Sequence, residues 1–418
     1  MQEVSVMGRY IGLDVHRDFA QVAIVEDGIV SDAGRVDCRP AALREWMTGL
    51  RSDDEVALEA TGNSDAIATL LTSHVARVVV SNPLKTRAIA EANIKTDKVD
   101  ARILAQLLAA DFLPSVWLPD ERTRRLRRQT MRRAHLVRQR TRLKNQVHAI
   151  LHRNLLPRPS VADLFGTAGR RWLARQDLPN DEHHTIEALM RQLDFLGEEL
   201  ALADRELAAE ALADPVVRRL MTIPGVDAVV ALSVVAAVGD FGRFSSSDKL
   251  VAYLGLHPRV RQSGNQPASH GRITKAGRAQ TRGMLVEAAW VAARAPGPLR
   301  AFYKRVKARR GFQVAVVATA RKLAVLCWHL TVDGQDYAFA RPSLVAFKQR
   351  KLALTAGAPR AHAHRGPGYD YNNKQLRRHE REVIEVAERA YETLIAGWQP
   401  RRPAHTGTAD FGVRPRRA

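Results

Sequence analysis

Asp14, Glu59, Asp97 and Asp100 are spread over the first hundred residues, each where a strand or helix would project it. Asp14 closes the apolar run Tyr10-Ile11-Gly12-Leu13, and Glu59 closes Val56-Ala57-Leu58. Asp97 and Asp100 stand three apart, just before a helical run over 101–110. That spacing puts both on one helical face. Carboxylates brought close together repel and raise each other's pKa unless a cation neutralises them. Such a cluster attracts hard divalent cations, and a pair of Mg²⁺ ions is a common means of cutting phosphodiesters. Asp18, Asp53, Asp54 and Asp65 fall in no such pattern and read as surface charge.

The elements that must position these groups follow from local pattern. Residues 10–14 and 20–25 are strand-like, Glu26-Asp27-Gly28 is a turn signal, and Ile29 begins a third strand. A helix is expected over 41–50, a short buried strand over 55–59, and an apolar-periodic helix from Thr61-Gly62-Asn63 to about Ser73. A further strand spans 75–80, and Asn82-Pro83 opens a helical segment over 84–108. Three meandering strands followed by alternating helices and strands describe an α/β layer with a mixed sheet, in the RNase H-like order.

Composition bounds the rest. With 418 residues the chain is too long for one ordinary core, so two or three domains are expected. The balance of 65 basic to 44 acidic residues, a net charge of +21, points to a polyanionic partner, most often nucleic acid. Cys38 and Cys327 are the only cysteines; they form no CxxC zinc site and fit a reducing cytoplasm. No signal peptide is expected, and the apolar stretch 229–238 is too short to span a bilayer.

Between Arg122 and Lys144, eleven of 23 residues are basic and none is acidic. Leu136, Leu143 and Ile150 recur every seven residues with Val147 between, which fits a long helix with an apolar seam. Charge of one sign cannot pair within the segment, so Arg124, Arg125, Arg128, Arg132, Arg138, Arg142 and Lys144 are expected to contact nucleic acid. An acidic and apolar helix over 181–212 is positioned to return antiparallel, with 158–180 as the elbow or a small insertion. A third unit begins near Asp214-Pro215. There Ile223-Pro224-Gly225 leads into an apolar helix, like one element of a helix-hairpin-helix, whose N-terminal N–H groups cradle a phosphate. Asp227 stands where that motif has its second glycine, which weakens phosphate affinity. Residues 257–283 are polar and dotted with glycine, and helices are expected over 281–294 and 314–330. Beyond 343 the chain reads as a basic tail with one helix, 373–398, and a disordered end.

Taken in order, the motifs resemble the IS110 family of bacterial transposases from about Tyr10 to Pro342. They are Gly12-Leu13-Asp14-Val15-His16, Leu58-Glu59-Ala60-Thr61-Gly62 and Lys95-Thr96-Asp97-Lys98-Val99-Asp100-Ala101. Ile223-Pro224-Gly225, Tyr253-Leu254-Gly255-Leu256, Ser263-Gly264 and Gly271-Arg272-Ile273-Thr274-Lys275-Ala276-Gly277 continue the series. The resemblance implies a multidomain α/β plus α protein. A RuvC-like (RNase H-like) DEDD domain occupies 6–118, a basic coiled-coil linker 119–212, a mostly helical transposase domain 213–342, and a tail 343–418. Asp14, Glu59, Asp97 and Asp100 become the tetrad holding Mg²⁺, as two ions. Ser263 becomes a nucleophile that attacks DNA and holds the cleaved strand as a phosphoserine. Arg259, Arg261, Arg272, Lys275 and Arg278 are then available to hold the scissile phosphate. Ser269 is a rival serine six residues on, and Gln262 stands where many relatives carry a second serine.

The implied partners are double-stranded DNA at element ends and target, a guide (bridge) RNA, and further copies of the chain in a dimer or tetramer, with no membrane. Tetrad and serine lie on separate domains, which is compatible with a site completed across protomers. The implied location is the bacterial cytoplasm, at the nucleoid. Three other readings stand beside this one: a RuvC-like junction nuclease using water, a non-catalytic basic scaffold with a decayed tetrad, and a sugar-kinase-like ATPase. The last lacks glycine-rich phosphate loops in the first domain.

Overall fold

The computed structural model describes residues 8–89, 96–157, 159–264, 267–360 and 374–397, with the side chain of His270 left aside. The expected disordered end beyond 400 lies outside them. The chain divides into two compact units, residues 1–119 and 120–418.

The first unit is built on a six-stranded sheet ordered β3-β2-β1-β4-β5-β6. The strands are β1 (Tyr10–Val15), β2 (Phe19–Glu26), β3 (Ile29–Asp37), β4 (Glu55–Glu59), β5 (Arg77–Ser81) and the short β6 (Ser115–Val116). β1 runs antiparallel to β2 and parallel to β4, in register Leu13↔Leu58. This mixed sheet agrees with the RNase H-like expectation. Alternation sorts its two faces. Ile11, Leu13, Val15, Val56 and Leu58 pack with Leu43 and Met47 of α1 (Pro40–Met47) and Ile67 and Leu71 of α2 (Ser64–Leu71). On the other face Ala57 and Val79 meet Leu104 and Leu108 of α4 (Asp97–Ala109).

The helix expected over 84–108 is not continuous: α3 (Pro83–Ile89) and α4 are separate, and Thr96 starts the second by accepting from Val99 N at 3.3 Å. Asp54 is no surface charge either. It is fully buried, takes Arg9 Nε at 2.7 Å and Arg51 N at 2.8 Å, and so ties the start of β1 to the loop before β4.

Among the described residues, the second unit is helical apart from one hairpin. The long helices α5 (Glu121–Arg153) and α7 (Asn180–Ala213) pack along each other. At their far end Val147, Ile150 and Leu151 close with Leu164, Leu178, Ile186 and Leu173 of α6 (Thr167–Leu173) into a separate small core. The main core gathers α8 (Pro215–Leu220), α9 (Ala228–Val238), α10 (Ser247–Tyr253), α11 (Ala279–Ala292) and α12 (Pro298–Val332). Gly311, with φ of 76°, kinks α12. By length and composition α12 passes as a membrane-crossing helix. Its Ala315, Ala320, Leu323, Ala324 and Cys327 are instead fully buried in this core, which accounts for its apolar character.

The segment expected as a tail is joined to this unit. α13 (Pro342–Thr355) packs on α7 and buries Leu352. α14 (Lys374–Ala396) is held by two buried carboxylates: Glu380 accepts from Ser343 N at 2.9 Å, and Glu388 from Gly297 N at 3.0 Å and Arg300 Nε at 2.8 Å.

Candidate functional site

The geometry at the end of β1 is set by a missing side chain. Gly12 and Asp14 point to the face covered by α4. A Cβ at Gly12 would lie 2.1 Å from Ala101 O and 2.6 Å from Ala105 N, so the helix docks on bare strand backbone. Ala101 and Ala105 are themselves small and fully buried. This close approach carries the first turn of α4, with Asp97 and Asp100, to Asp14. Ligand atoms of Asp14, His16 and Asp97 all lie within 4.8 Å of one another. Glu59 sits one residue past the last β1–β4 register pair, on the same face as Ala57. Asp100 and Glu59 fall outside the three-residue group; the charge of Asp100 acts on Asp14, and both residues are half-buried.

His16 Nε2 lies 3.2 Å from Asp14 Oδ2 and 3.4 Å from Asp97 Oδ1. Arg35 of β3 approaches the other oxygen of Asp97, Oδ2, at 3.6 Å. The Arg35 guanidinium lies 4.3 Å over the Phe19 ring, and its Nε donates to Gln21 Oε1 at 3.2 Å. Burial pushes the Asp14 carboxyl above the usual carboxylate range; His16 opposes this, and the charges of Asp100 and Asp97 add to it. A carboxylate in that position gains from a cation. The donor set, oxygens plus one imidazole nitrogen converging at a strand end, suits a divalent metal.

In the second unit, residues 257–283 are not a plain loop. β7 (Pro258–Arg261) and β8 (Ser269–Ile273) form an antiparallel hairpin pairing Pro258↔Ile273 and Arg261↔Ser269. Ser263 is exposed at its turn, next to Gly264 with φ of 54°. The rival Ser269 sits on the strand directly across from Arg261. Arg259, Arg261, Arg272, Lys275 and Arg278 are all exposed on or beside the hairpin. Arg278 Nε donates to Tyr253 Oη at 3.4 Å. The hairpin's base is anchored where backbone meets backbone: a Cβ at Gly255 would lie 2.0 Å from Ala276 O, and one at Gly277 2.1 Å from Tyr253 O.

The turn before α9 is satisfied from within. Asp227 Oδ1 takes Val230 N at 2.9 Å, occupying a helix-start donor with a carboxylate that repels phosphate. Lys348 Nζ donates to Met221 O at 2.7 Å, Ile223 O at 2.9 Å and Val226 O at 2.8 Å. Burial lowers that ammonium's pKa to about 8.

The one-signed charge of α5 is not left unpaired, because α7 supplies acids alongside it. Arg125 pairs with Glu210 at 2.7 Å and Arg132 with Glu199 at 2.8 Å, while Arg133 pairs with Asp204. Arg124 and Arg128 both reach Glu121 at the helix start, at 3.0 and 2.8 Å. The acids that neutralise these arginines lie mostly on another helix, outside any local window. Lys144 lies 4.4 Å over the Phe165 ring. Arg138 and Arg142 are exposed and make no ion pair among the described residues.

Three residues at the first cluster escaped sequence reasoning: His16, Arg35 and Gln21. His16 carried a signal, lying two positions past Asp14 in the same motif. Arg35 and Gln21 reach the cluster only through strand pairing.

Comparison with known proteins covers both units. A transposase family model of the IS110 DEDD type matches residues 11–154, a span that includes all four carboxylates. The model for the transposase IS116/IS110/IS902 family matches residues 217–304, a span that includes Ser263. The transposase for insertion sequence element IS1111A of Coxiella burnetii is 27% identical over 343 residues, 79% of this chain and 91% of that protein. The transposase for insertion sequence element IS1328 of Yersinia enterocolitica is 28% identical over 292 residues, 67% of this chain and 84% of that protein. The pilin gene-inverting protein of Moraxella bovis is 26% identical over 294 residues, 67% and 80% respectively.

Proposed function

The chain belongs to the IS116/IS110/IS902 family of transposases, and on that premise we propose that it cuts and rejoins DNA by phosphoryl transfer through a protein-bound intermediate. The observation that carries this reading is the docking of α4 on Gly12, which brings Asp97 and Asp100 to Asp14 within the span of the DEDD-type family model. Asp14 and Asp97, with Asp100 and Glu59 alongside, are the residues that would hold Mg²⁺, as a pair of ions. When bound, the metal supplies Lewis-acid stabilisation of charge on a phosphate.

The chain's own residues do the rest in this proposal. Ser263 Oγ attacks phosphorus and loses its proton to a base, a Ser–O–P bond forms, and the bond to the 3′ oxygen breaks, that oxygen taking up a proton to leave as a 3′-hydroxyl. Arg259, Arg261, Arg272, Lys275 and Arg278 hold the phosphate and balance its charge. A 3′-hydroxyl of the incoming strand then expels Ser263 and restores a phosphodiester without a nucleotide cofactor. The pilin gene-inverting relative supports transfer over hydrolysis, because inverting a gene requires that ends be rejoined. Target choice falls to a guide RNA, assembly is as a dimer or tetramer, and the site of action is the nucleoid.

The test is trapping of protein–DNA adducts on nicked or suicide DNA substrates, resolved on denaturing gels. The expected result is an adduct made by the intact chain and by Ser269→Ala, and none by Ser263→Ala. An adduct that survives Ser263→Ala removes the assignment, and cleavage with no adduct in any form returns the junction-nuclease reading.

A further inference from the structure

His16 lies beside the carboxylates without a role in the proposal above. We infer that His16 is itself a ligand of the metal held by Asp14 and Asp97, so that the centre is a mixed nitrogen and oxygen site. The inference rests on the metal reading of the first unit and goes beyond it by naming a donor of different chemistry.

Spacing is the first argument. Two donors on adjacent corners of an octahedron with bonds of about 2.1 Å lie about 3 Å apart. His16 Nε2 stands 3.2 Å from Asp14 Oδ2 and 3.4 Å from Asp97 Oδ1, close to that edge length for both partners at once. The two oxygens of Asp97 are also distinguished: Oδ2 faces Arg35 at 3.6 Å, and Oδ1 faces the imidazole. The cation-facing oxygen is thereby selected before any ion arrives.

Preorganisation is the second argument. His16 follows the strand in a turn, and its backbone is fixed on both sides. Its N–H donates to Phe19 O at 2.8 Å, and its carbonyl accepts from Asn63 Nδ2 at 2.9 Å. Its ring lies 4.8 Å from the Phe19 ring. Asn63 comes from the turn that follows Glu59, so the second acidic motif clamps the residue next to the first. With the backbone fixed and the ring against Phe19, the imidazole has less freedom to lose on binding.

The consequence is selectivity. Mg²⁺ is a hard cation bound almost wholly by oxygen, whereas Mn²⁺, first of the divalent first-row transition series, accepts a nitrogen donor more readily. The centre should therefore favour Mn²⁺ over Mg²⁺ more strongly than four carboxylates would.

The experiment uses the full chain with Mn²⁺ as the probe, read by electron spin echo modulation and by equilibrium titration with Mg²⁺ as competitor. Bound Mn²⁺ should show modulation from a directly coordinated nitrogen, absent in His16→Gln, with Mn²⁺ affinity lowered about tenfold or more. Mg²⁺ affinity should fall less. Free imidazole added to His16→Ala should restore the nitrogen signal, a result that a merely structural role would not give. Bound Mn²⁺ without nitrogen modulation, or modulation that persists in His16→Gln, overturns the inference while leaving the carboxylate site standing. A chain that binds no Mn²⁺, or binds it equally well as Asp14→Asn, overturns the metal reading beneath it as well.

Discussion

Glu388 shows at the scale of a single residue how a charge is kept inside this protein. It is 3% exposed, and burial by itself would push its carboxyl upward. Hydrogen bonds from Arg300, the Gly297 N–H and Lys304 outweigh that and hold it at about 2 instead of the ordinary 4.5. The sign follows directly. A depressed folded-state pKa contributes stability that is present above the unfolded value and lost as pH falls from about 4.5 towards 2. A shift of this size corresponds to about 3 kcal/mol. Glu388→Gln should lower stability at neutral pH by a similar order and flatten the acid limb of a denaturation series, while binding of metal by the first unit stays unchanged. Asp14 is the opposite case: its surroundings disfavour its charge until a cation arrives.

At the scale of elements, the site depends on how close α4 comes to β1. Gly12→Ala would place a methyl 2.1 Å from a backbone carbonyl, with no flexible side chain to yield. The helix must shift, and Asp97 and Asp100 shift with it. The expected outcome is a destabilisation of about 1–3 kcal/mol, together with weakened Mn²⁺ binding measured by titration. Leu71→Val, on α2 against the opposite face of the sheet, serves as the control: a packing loss away from α4 should cost stability and leave metal affinity intact. Strands β1, β2, β4 and β5 were legible in sequence because buried strands between turn signals leave a clear apolar pattern. The β7–β8 hairpin was not, since its residues are mostly exposed and polar and only pairing makes them strands. The break between α3 and α4 was missed because both halves share helical periodicity. Thr96 as the cap of the second was a usable signal.

Across the whole molecule, the net charge of +21 predicts salt-sensitive binding, but not every arginine takes part. Residues that α7 neutralises release few counterions on binding DNA; Arg138 and Arg142 are still exposed and carry no ion pair among the described residues. Each of Arg138→Ala and Arg142→Ala should lower the slope of log K against log salt by about 0.9. Arg132→Ala should leave the slope nearly unchanged and lower the stability of the α5–α7 pair. Anisotropy titrations on duplex DNA at several salt concentrations, with thermal melts alongside, separate the two effects. Equal slope changes in all three variants would mean that the ion pairs open on binding.

The sequence by itself determined the carboxylates, their order along an α/β scaffold and the basic character of α5, because strand alternation, turn chemistry and charge are local properties. It also carried the motifs by which the family is recognised. Tertiary structure alone decided which groups meet. Gly12 acquires meaning only when α4 lies on it, and His16 only when Asp97 arrives from a helix eighty residues away. Arg125 and Arg132 of α5 are told apart from Arg138 and Arg142 only when the acids of α7 lie alongside and pair with the first two. In each case the deciding interaction is short in space and long in sequence, and a one-dimensional pattern holds no record of such a contact.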